Sequence, residues 1–187
     1  MDSMVAMLMT DRLLLRSWRE ADREPFAELN ADPRVMEFMP RLLSREESDD
    51  FFDRIQGHFE RHGFGLCAAE HRATGSFMGF IGLFVPQFEE RFMPAVEIGW
   101  RLGYKWWGQG FATEGAREMV RYAFDVIGLD GLVSFTVPAN TRSRRVMEKL
   151  GMTHDPADDF EHPRLPLGHP LRRHVLYRLA ARKTSAA

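Results

Sequence analysis

The sequence predicts an α/β fold with antiparallel pairing in its sheet, and three observations carry that expectation. Short apolar runs alternate with longer stretches of helical periodicity along most of the chain. Three consecutive runs, Phe64 to Glu70, Phe77 to Phe84 and Ala95 to Leu102, are separated by a Thr74-Gly75 turn and by a loop containing Pro86 and Pro94, for which antiparallel pairing is the simplest arrangement. The third run then passes through two glycines into a long amphipathic segment.

Taken in order, Leu13, Leu14 and Leu15 within Asp11 to Trp18 read as a first strand, and Glu20 to Asn30 as a polar helix with Pro33 at its exit. Ser44-Arg45-Glu46-Glu47 has capping-box spacing, and Phe51, Phe52, Ile55 and Phe59 recur at helical intervals until Gly63. After the three strands, Ala112, Ala116, Met119, Val120, Ala123 and Ile127 line one face of a helix ending near Gly128. Leu132 to Val137 is the next strand. Asn140 is placed to cap a further helix with Val146, Met147 and Leu150, which Gly151 ends. The stretch from Thr153 to Pro170 lacks periodicity and reads as a surface loop, His174 to Leu179 as a last strand, and Lys183 to Ala187 as a frayed tail. No repeat or composition break divides the 187 residues, so one domain with a core at about 10 to 180 is expected.

Composition narrows the function classes. A formal charge of −2 argues against nucleic acid and an acidic membrane as partners, and no apolar run approaches membrane-spanning length. Met1 to Met9 carries Asp2 and no basic region, unlike a secretory leader. Cys67 is the only cysteine, so there is neither an internal disulfide nor a paired-cysteine metal site, which suits the cytoplasm. In an apolar strand, Cys67 reads as a structural thiol and not as an acyl-carrying nucleophile. His154, His162, His169 and His174 lack the close pairing of a zinc site, so no metal is expected.

The chemistry concentrates between Glu97 and Ser143. Trp107-Gly108-Gln109-Gly110-Phe111-Ala112 joins a strand to a helix, and free backbone N–H groups at a helix N-terminus bind phosphate. No Gly-Lys-Ser/Thr follows, and Gly115 comes too late for a dinucleotide fingerprint. Along Ala95 to Leu102, Glu97, Gly99 and Arg101 share one face, opposite Val96, Ile98, Trp100 and Leu102. A carboxylate beside a residue without a side chain, on the strand feeding a phosphate loop, suits a general base; a solvated charge or an ion pair with Arg101 is the competing reading.

The loop resembles the pyrophosphate loop of the GNAT superfamily of N-acetyltransferases, Gln/Arg-x-x-Gly-x-Gly/Ala, with Trp107 departing at the first position. Trp107, Glu97-Ile98-Gly99-Trp100 before it and Ala112-Thr113-Glu114 after it are similar to the branch containing the ribosomal-protein N-terminal (Rim-type) acetyltransferases. Arg12-Leu13-Leu14-Leu15-Arg16, Met36 to Pro40 and His174-Val175-Leu176-Tyr177 extend the resemblance over nearly the whole chain. Asn140-Thr141-Arg142-Ser143, with Glu148 to Met152 closing the helix, resembles the family's Asn-x-x-Ser segment.

The resemblance implies an α/β (α+β) GNAT fold with a mixed, mainly antiparallel central sheet of about seven strands flanked by helices, splayed between the fourth and fifth, and transfer of acetyl from acetyl-CoA to a primary amine in a ternary complex. It implies CoA contacts at Ile98, Trp100, Leu102, Trp107, Gly108, Gln109, Gly110, Phe111, Ala112, Thr113 and Asn140. Glu97 is then the general base, Ser143 the proton donor to the leaving thiolate, backbone N–H groups from Ile98 to Trp100 the oxyanion donors, and Phe38 and Met39, with Pro40, a wall of the acceptor cleft. Trp18 and Phe84 are further candidates for that cleft or for the core. A protein N-terminus and a small-molecule amine both stay open as acceptor, as do monomer and homodimer. A non-catalytic acyl-CoA sensor is the rival function, against which the presence of both Glu97 and Ser143 weighs.

Overall fold

A computed structural model describes residues 7–181. The tail expected from Lys183 lies outside them, as does most of the Met1 to Met9 segment. The elements are β1 (Leu8–Met9), β2 (Leu13–Arg16), α1 (Arg23–Ala31), α2 (Arg45–His62), β3 (Leu66–His71), β4 (Ser76–Phe84), β5 (Glu97–Leu102), α3 (Phe111–Arg121), β6 (Gly131–Thr136), α4 (Thr141–Lys149), β7 (Thr153–His154), β8 (Phe160–Glu161) and β9 (Arg173–Ala180). A 3-10 turn, Glu20–Asp22, leads into α1, and a π-helical stretch, Tyr122–Ile127, prolongs α3.

The strands follow the order β1-β2-β3-β4-β5-β6-β9-β7, with β8 on β9. Every pairing is antiparallel except β5 with β6. Nine strands among the described residues replace the expected seven or so. Six of them correspond to the apolar runs of the sequence; the other three, β1, β7 and β8, are two residues long, too short for an alternating pattern to register. For the same reason the surface loop expected from Thr153 to Pro170 in fact holds β7, β8 and a 3-10 turn at Pro156–Asp158.

Sequence chemistry accounts for the helix ends. The Glu47 N–H donates to Ser44 Oγ at 3.2 Å while the Ser44 N–H donates to Glu47 Oε2 at 2.9 Å, closing the capping box. Buried Arg16 donates to Asp22 at 2.7 and 2.9 Å and to Glu70 at 2.7 Å, which fastens the turn before α1 to β2 and β3. The main core lies between the sheet and its helices. Trp18 belongs to it and faces no cleft: its ring packs edge-on against Phe26 and Phe52, and its indole N–H donates to the Leu66 carbonyl at 2.6 Å.

His58 fixes α2 to the sheet. Its Nδ1 lies 2.9 Å from the Phe64 carbonyl and its Nε2 accepts the Val85 N–H at 3.0 Å, so the ring is neutral with the proton on Nδ1. Phe84 stacks on it at 4.5 Å, which makes Phe84 a packing partner of α2. Burial pushes the His58 pKa down to about 4.

A second, smaller cluster joins Phe92, Val133, Phe160 and Leu176, with Phe88 and Phe135 packed against it. His162 and His174 lie within this aromatic group, 5.1 Å apart, and burial lowers the pKa of both, His162 to about 4. Among the described residues, no helix is long and apolar enough to cross a membrane, and no group of three His, Cys, Asp or Glu side chains is placed to hold a metal ion.

Candidate active site

Strands β5 and β6 touch at one register pair, Glu97 with Val133, where the Val133 N–H donates to the Val96 carbonyl at 2.9 Å. Beyond that pair they diverge, and the β6-facing backbone edge of β5 has no strand partner. At the open end of this fork lies a cleft of about 350 Å³. Arg34, Val35, Phe38 and Met39 from the α1–α2 connection form one side. Trp100, Arg101 and Leu102 of β5, Trp106 to Gly108 and Gly110 to Thr113 of the loop and helix start, and Asn140, Arg142, Ser143, Arg145, Val146 and Lys149 form the rest. Five of these lining residues are cationic and none carries a carboxylate.

The loop is shaped by its backbone. Gly108 and Gly110 have φ of 73° and 85°, a region in which no non-glycine residue of the described chain is found. An added Cβ at Gly108 would meet nothing within 4 Å, and one at Gly110 only Arg12 Nη2 at 3.5 Å, so open space lies beside both. Helix α3 begins at Phe111 with no side-chain cap, which leaves the N–H groups of Phe111, Ala112 and Thr113 without an intrahelical acceptor. The cradle fits a diphosphate: free amides, room for close approach, the positive end of a helix and cations across the cleft. Trp107 is held by its indole N–H, which donates to the Leu102 carbonyl at 2.7 Å. Gln109 turns its amide to the Lys105 carbonyl at 2.8 Å and is not among the cleft's lining residues.

Asn140 caps α4, accepting the Ser143 N–H at 3.2 Å, and its amide donates to Thr136 Oγ1 at 3.0 Å. Its side chain is thus engaged in shaping the cleft wall. Ser143 lines the cleft, and its hydroxyl makes no hydrogen bond among the described residues. Arg142 reaches across the mouth: it pairs with Glu37 at 2.6 Å and lies over the Trp107 ring at 4.5 Å and the Phe38 ring at 5.8 Å.

The chain that builds this fork and its glycine-led helix is matched by known proteins. Residues 12–153 match the family described as Acetyltransferase (GNAT) domain. The chain belongs to this family. A Bacillus subtilis relative, the uncharacterized protein YkkB, is 32% identical over 146 residues, 78% of this chain and 84% of that protein. The FsC-acetyl coenzyme A-N(2)-transacetylase of Aspergillus fumigatus is 36% identical over 159 residues, 79% of this chain but 65% of the relative, so the match spans just under two thirds of the fungal protein. The crystal structure of an acetyltransferase from Agrobacterium tumefaciens superposes with a TM-score of 0.75 at 28% identity, covering 93% of this chain and 94% of that one. The GNAT membership makes the chain an acyltransferase.

Within this GNAT chain, Glu97 does not line the 350 Å³ cleft. It stands at the closed end of the fork, roughly 10 Å along β5 from Trp100. It is half-buried, with no hydrogen-bond partner among the described residues, and burial raises its carboxyl pKa to about 8. An added Cβ at Gly99 would meet nothing within 4 Å, so the strand floor between Glu97 and Arg101 is open. Arg101 makes no ion pair with Glu97. It donates to Asn30 Oδ1 at 2.6 Å and to Met39 Sδ at 3.1 Å, and desolvation lowers its pKa to about 10. Ile98 is fully buried in the core and offers the fork only its backbone.

The cleft also includes Arg34, Val35, Arg101, Trp106, Arg142, Arg145, Val146 and Lys149, which are not among the sequence-predicted site residues. A signal existed for part of this set: Arg142, Arg145 and Lys149 are spaced three and four apart, which places three cations on one face of α4. For Arg34 and Val35 no such signal exists, because the fold alone brings the α1–α2 connection to the fork.

Proposed function

We propose that the protein transfers the acetyl group of acetyl-CoA directly to a primary amine in a ternary complex. The observation that carries this is the union of a carboxylate-free, five-cation cleft with the uncapped α3 N-terminus and an unpaired β5 edge leading to Glu97. In this reading the backbone of Gly108 to Thr113 holds the diphosphate, with Trp107 and the Gln109 backbone as loop supports. Ile98, Trp100 and Leu102 offer β5 backbone to the pantetheine arm, and Asn140 shapes the opposite wall. The fungal relative's name, an acetyl coenzyme A-N(2)-transacetylase, supports both the donor and a nitrogen acceptor.

Glu97 removes the proton that keeps an ammonium from attacking. Backbone N–H groups from Ile98 to Trp100 stabilise negative charge on the acetyl oxygen as the new C–N bond forms. Ser143 delivers a proton to the sulfur as the C–S bond breaks. Phe38 and Met39 border the incoming amine. A base titrating at about 8 is matched to an α-amine, whose reference pKa is also about 8, and is a poor match for lysine at about 10.4. The acceptor that fits best is therefore an α-amine, as at a protein N-terminus, or a small amine of similar basicity.

Calorimetric titration with acetyl-CoA tests the donor site, with Gly110→Val as the control. The expected result is saturable binding by the wild-type protein and a loss of roughly tenfold or more in the variant, since valine is strained at φ 85° and blocks the cradle. A wild-type protein that binds no acetyl-CoA overturns the proposal.

A further inference from the structure

The glycine loop is held in place by a group about a hundred residues earlier in the chain. Glu114, in the first turn of α3, accepts the Thr10 hydroxyl at 2.6 Å and the Arg12 N–H at 2.9 Å on one oxygen. Its other oxygen accepts Arg12 Nε at 2.7 Å and Nη2 at 2.6 Å. The remaining arm of the guanidinium, Nη1, donates to the Gln109 carbonyl at 3.0 Å, and its Cζ lies 4.3 Å over the Phe111 ring. One side chain thereby grips the loop, the first residue of the helix and its first turn.

From this geometry we infer that Arg12 is a positioning residue for the donor's diphosphate, orienting the Gln109–Gly110 peptide and cancelling the Glu114 charge beside the anion site. The inference rests on the proposed acetyl-CoA site. A trans peptide directs its C=O and N–H oppositely, so anchoring the Gln109 carbonyl on Arg12 turns the Gly110 N–H away from Arg12. Glu114 complements the helix dipole, yet an uncompensated carboxylate one turn from a diphosphate repels it. Burial acts to raise the Glu114 pKa, but the bonds from Thr10 and Arg12 outweigh it and hold the carboxyl below its ordinary value, so the charge that must be cancelled is present at neutral pH. Arg12 is 45% exposed, and ion pairs that open to solvent add little to stability, which points to the loop's function as the beneficiary.

The test is calorimetric titration of acetyl-CoA into Arg12→Gln, Arg12→Lys and the double variant Arg12→Gln/Glu114→Gln, with melting temperatures and steady-state kinetics alongside. Arg12→Gln is expected to raise Kd about tenfold and to raise KM for acetyl-CoA while KM for the amine stays unchanged. Arg12→Lys rescues little, because one ammonium cannot bond both Glu114 and the Gln109 carbonyl. The double variant, free of the lone carboxylate, recovers part of the loss, and its gap from Arg12→Gln narrows as salt is raised. Wild-type affinity in Arg12→Gln, or a double variant that binds no better than the single one, overturns the inference. If Arg12→Gln does not fold, the lysine variant and the double variant decide it on the same readouts. Failure of the wild-type protein to bind acetyl-CoA instead overturns the donor site itself.

Discussion

The glycine loop and the Glu97 face of β5 sit at opposite ends of one fork and are built differently. The loop works with backbone: two glycines at positive φ, uncapped amides and open space where side chains would stand. The Glu97 face works with half-buried or buried side chains displaced from their ordinary ionisation, Glu97 upward to about 8 and Arg101 downward to about 10, with His58 behind them under Phe84 at about 4. In the proposed reaction, an anion of fixed shape would be met by fixed dipoles, whereas a proton would be passed by a group whose affinity for it has been adjusted.

The largest expected effect separates the two ends outright. Glu97→Gln should lower kcat by about 10²- to 10⁴-fold while leaving Kd for acetyl-CoA unchanged in calorimetry. In the wild-type protein kcat/KM should rise as pH climbs through about 8, because only the carboxylate accepts a proton, and this rise should flatten in the variant. The same group costs stability in the opposite sense. An unfolded chain releases the Glu97 proton near 4.5 and the folded one near 8, so stability is lost between those values and Glu97→Gln should melt higher at pH 8.

A smaller effect attacks the side-chain half through acid. His58 and His162 are held neutral in the fold down to about pH 4, while an unfolded chain takes up the protons near 6.5. Their contribution is complete above 6.5 and is lost as pH falls toward 4, so urea unfolding at pH 5 should show a lower midpoint than at pH 7. His58→Leu leaves the Val85 N–H without its acceptor and should cost about 1–3 kcal/mol at pH 7 while weakening that pH dependence. Smallest is Ser143→Ala, expected to lower kcat by less than about tenfold, since water in the open cleft can also protonate a departing sulfur.

The same contrast explains what was legible beforehand. Gly108, Gly110 and the Asn140 cap are local: their spacing and residue types state a backbone conformation without reference to the rest of the chain. The alternation that put Glu97, Gly99 and Arg101 on one face was likewise visible. What the neighbours of that face would be was not, because Asn30 and Met39 reach Arg101 from about 60 to 70 residues away. The aromatic group around His162 and His174 escaped notice because strands of two residues carry no period, and only pairing with β9 brings it together. Glu114 stood in plain view within the motif, but its partner Arg12 lies on another element and is found only through the tertiary contact.

The lone register pair between β5 and β6 has a consequence for how the molecule comes apart. On the backbone level β1 to β5 and β6 to β9 are two ribbons riveted at Glu97 and Val133, and what joins them elsewhere is the apolar core around Met119, Leu132 and Met147. Such a seam is where amide hydrogens of two otherwise protected sheets exchange as separate cooperative blocks. In the proposed acetyl-CoA complex, the donor lying along the free edge of β5 would take the place of the missing strand, and its departure would return the sheet to two halves.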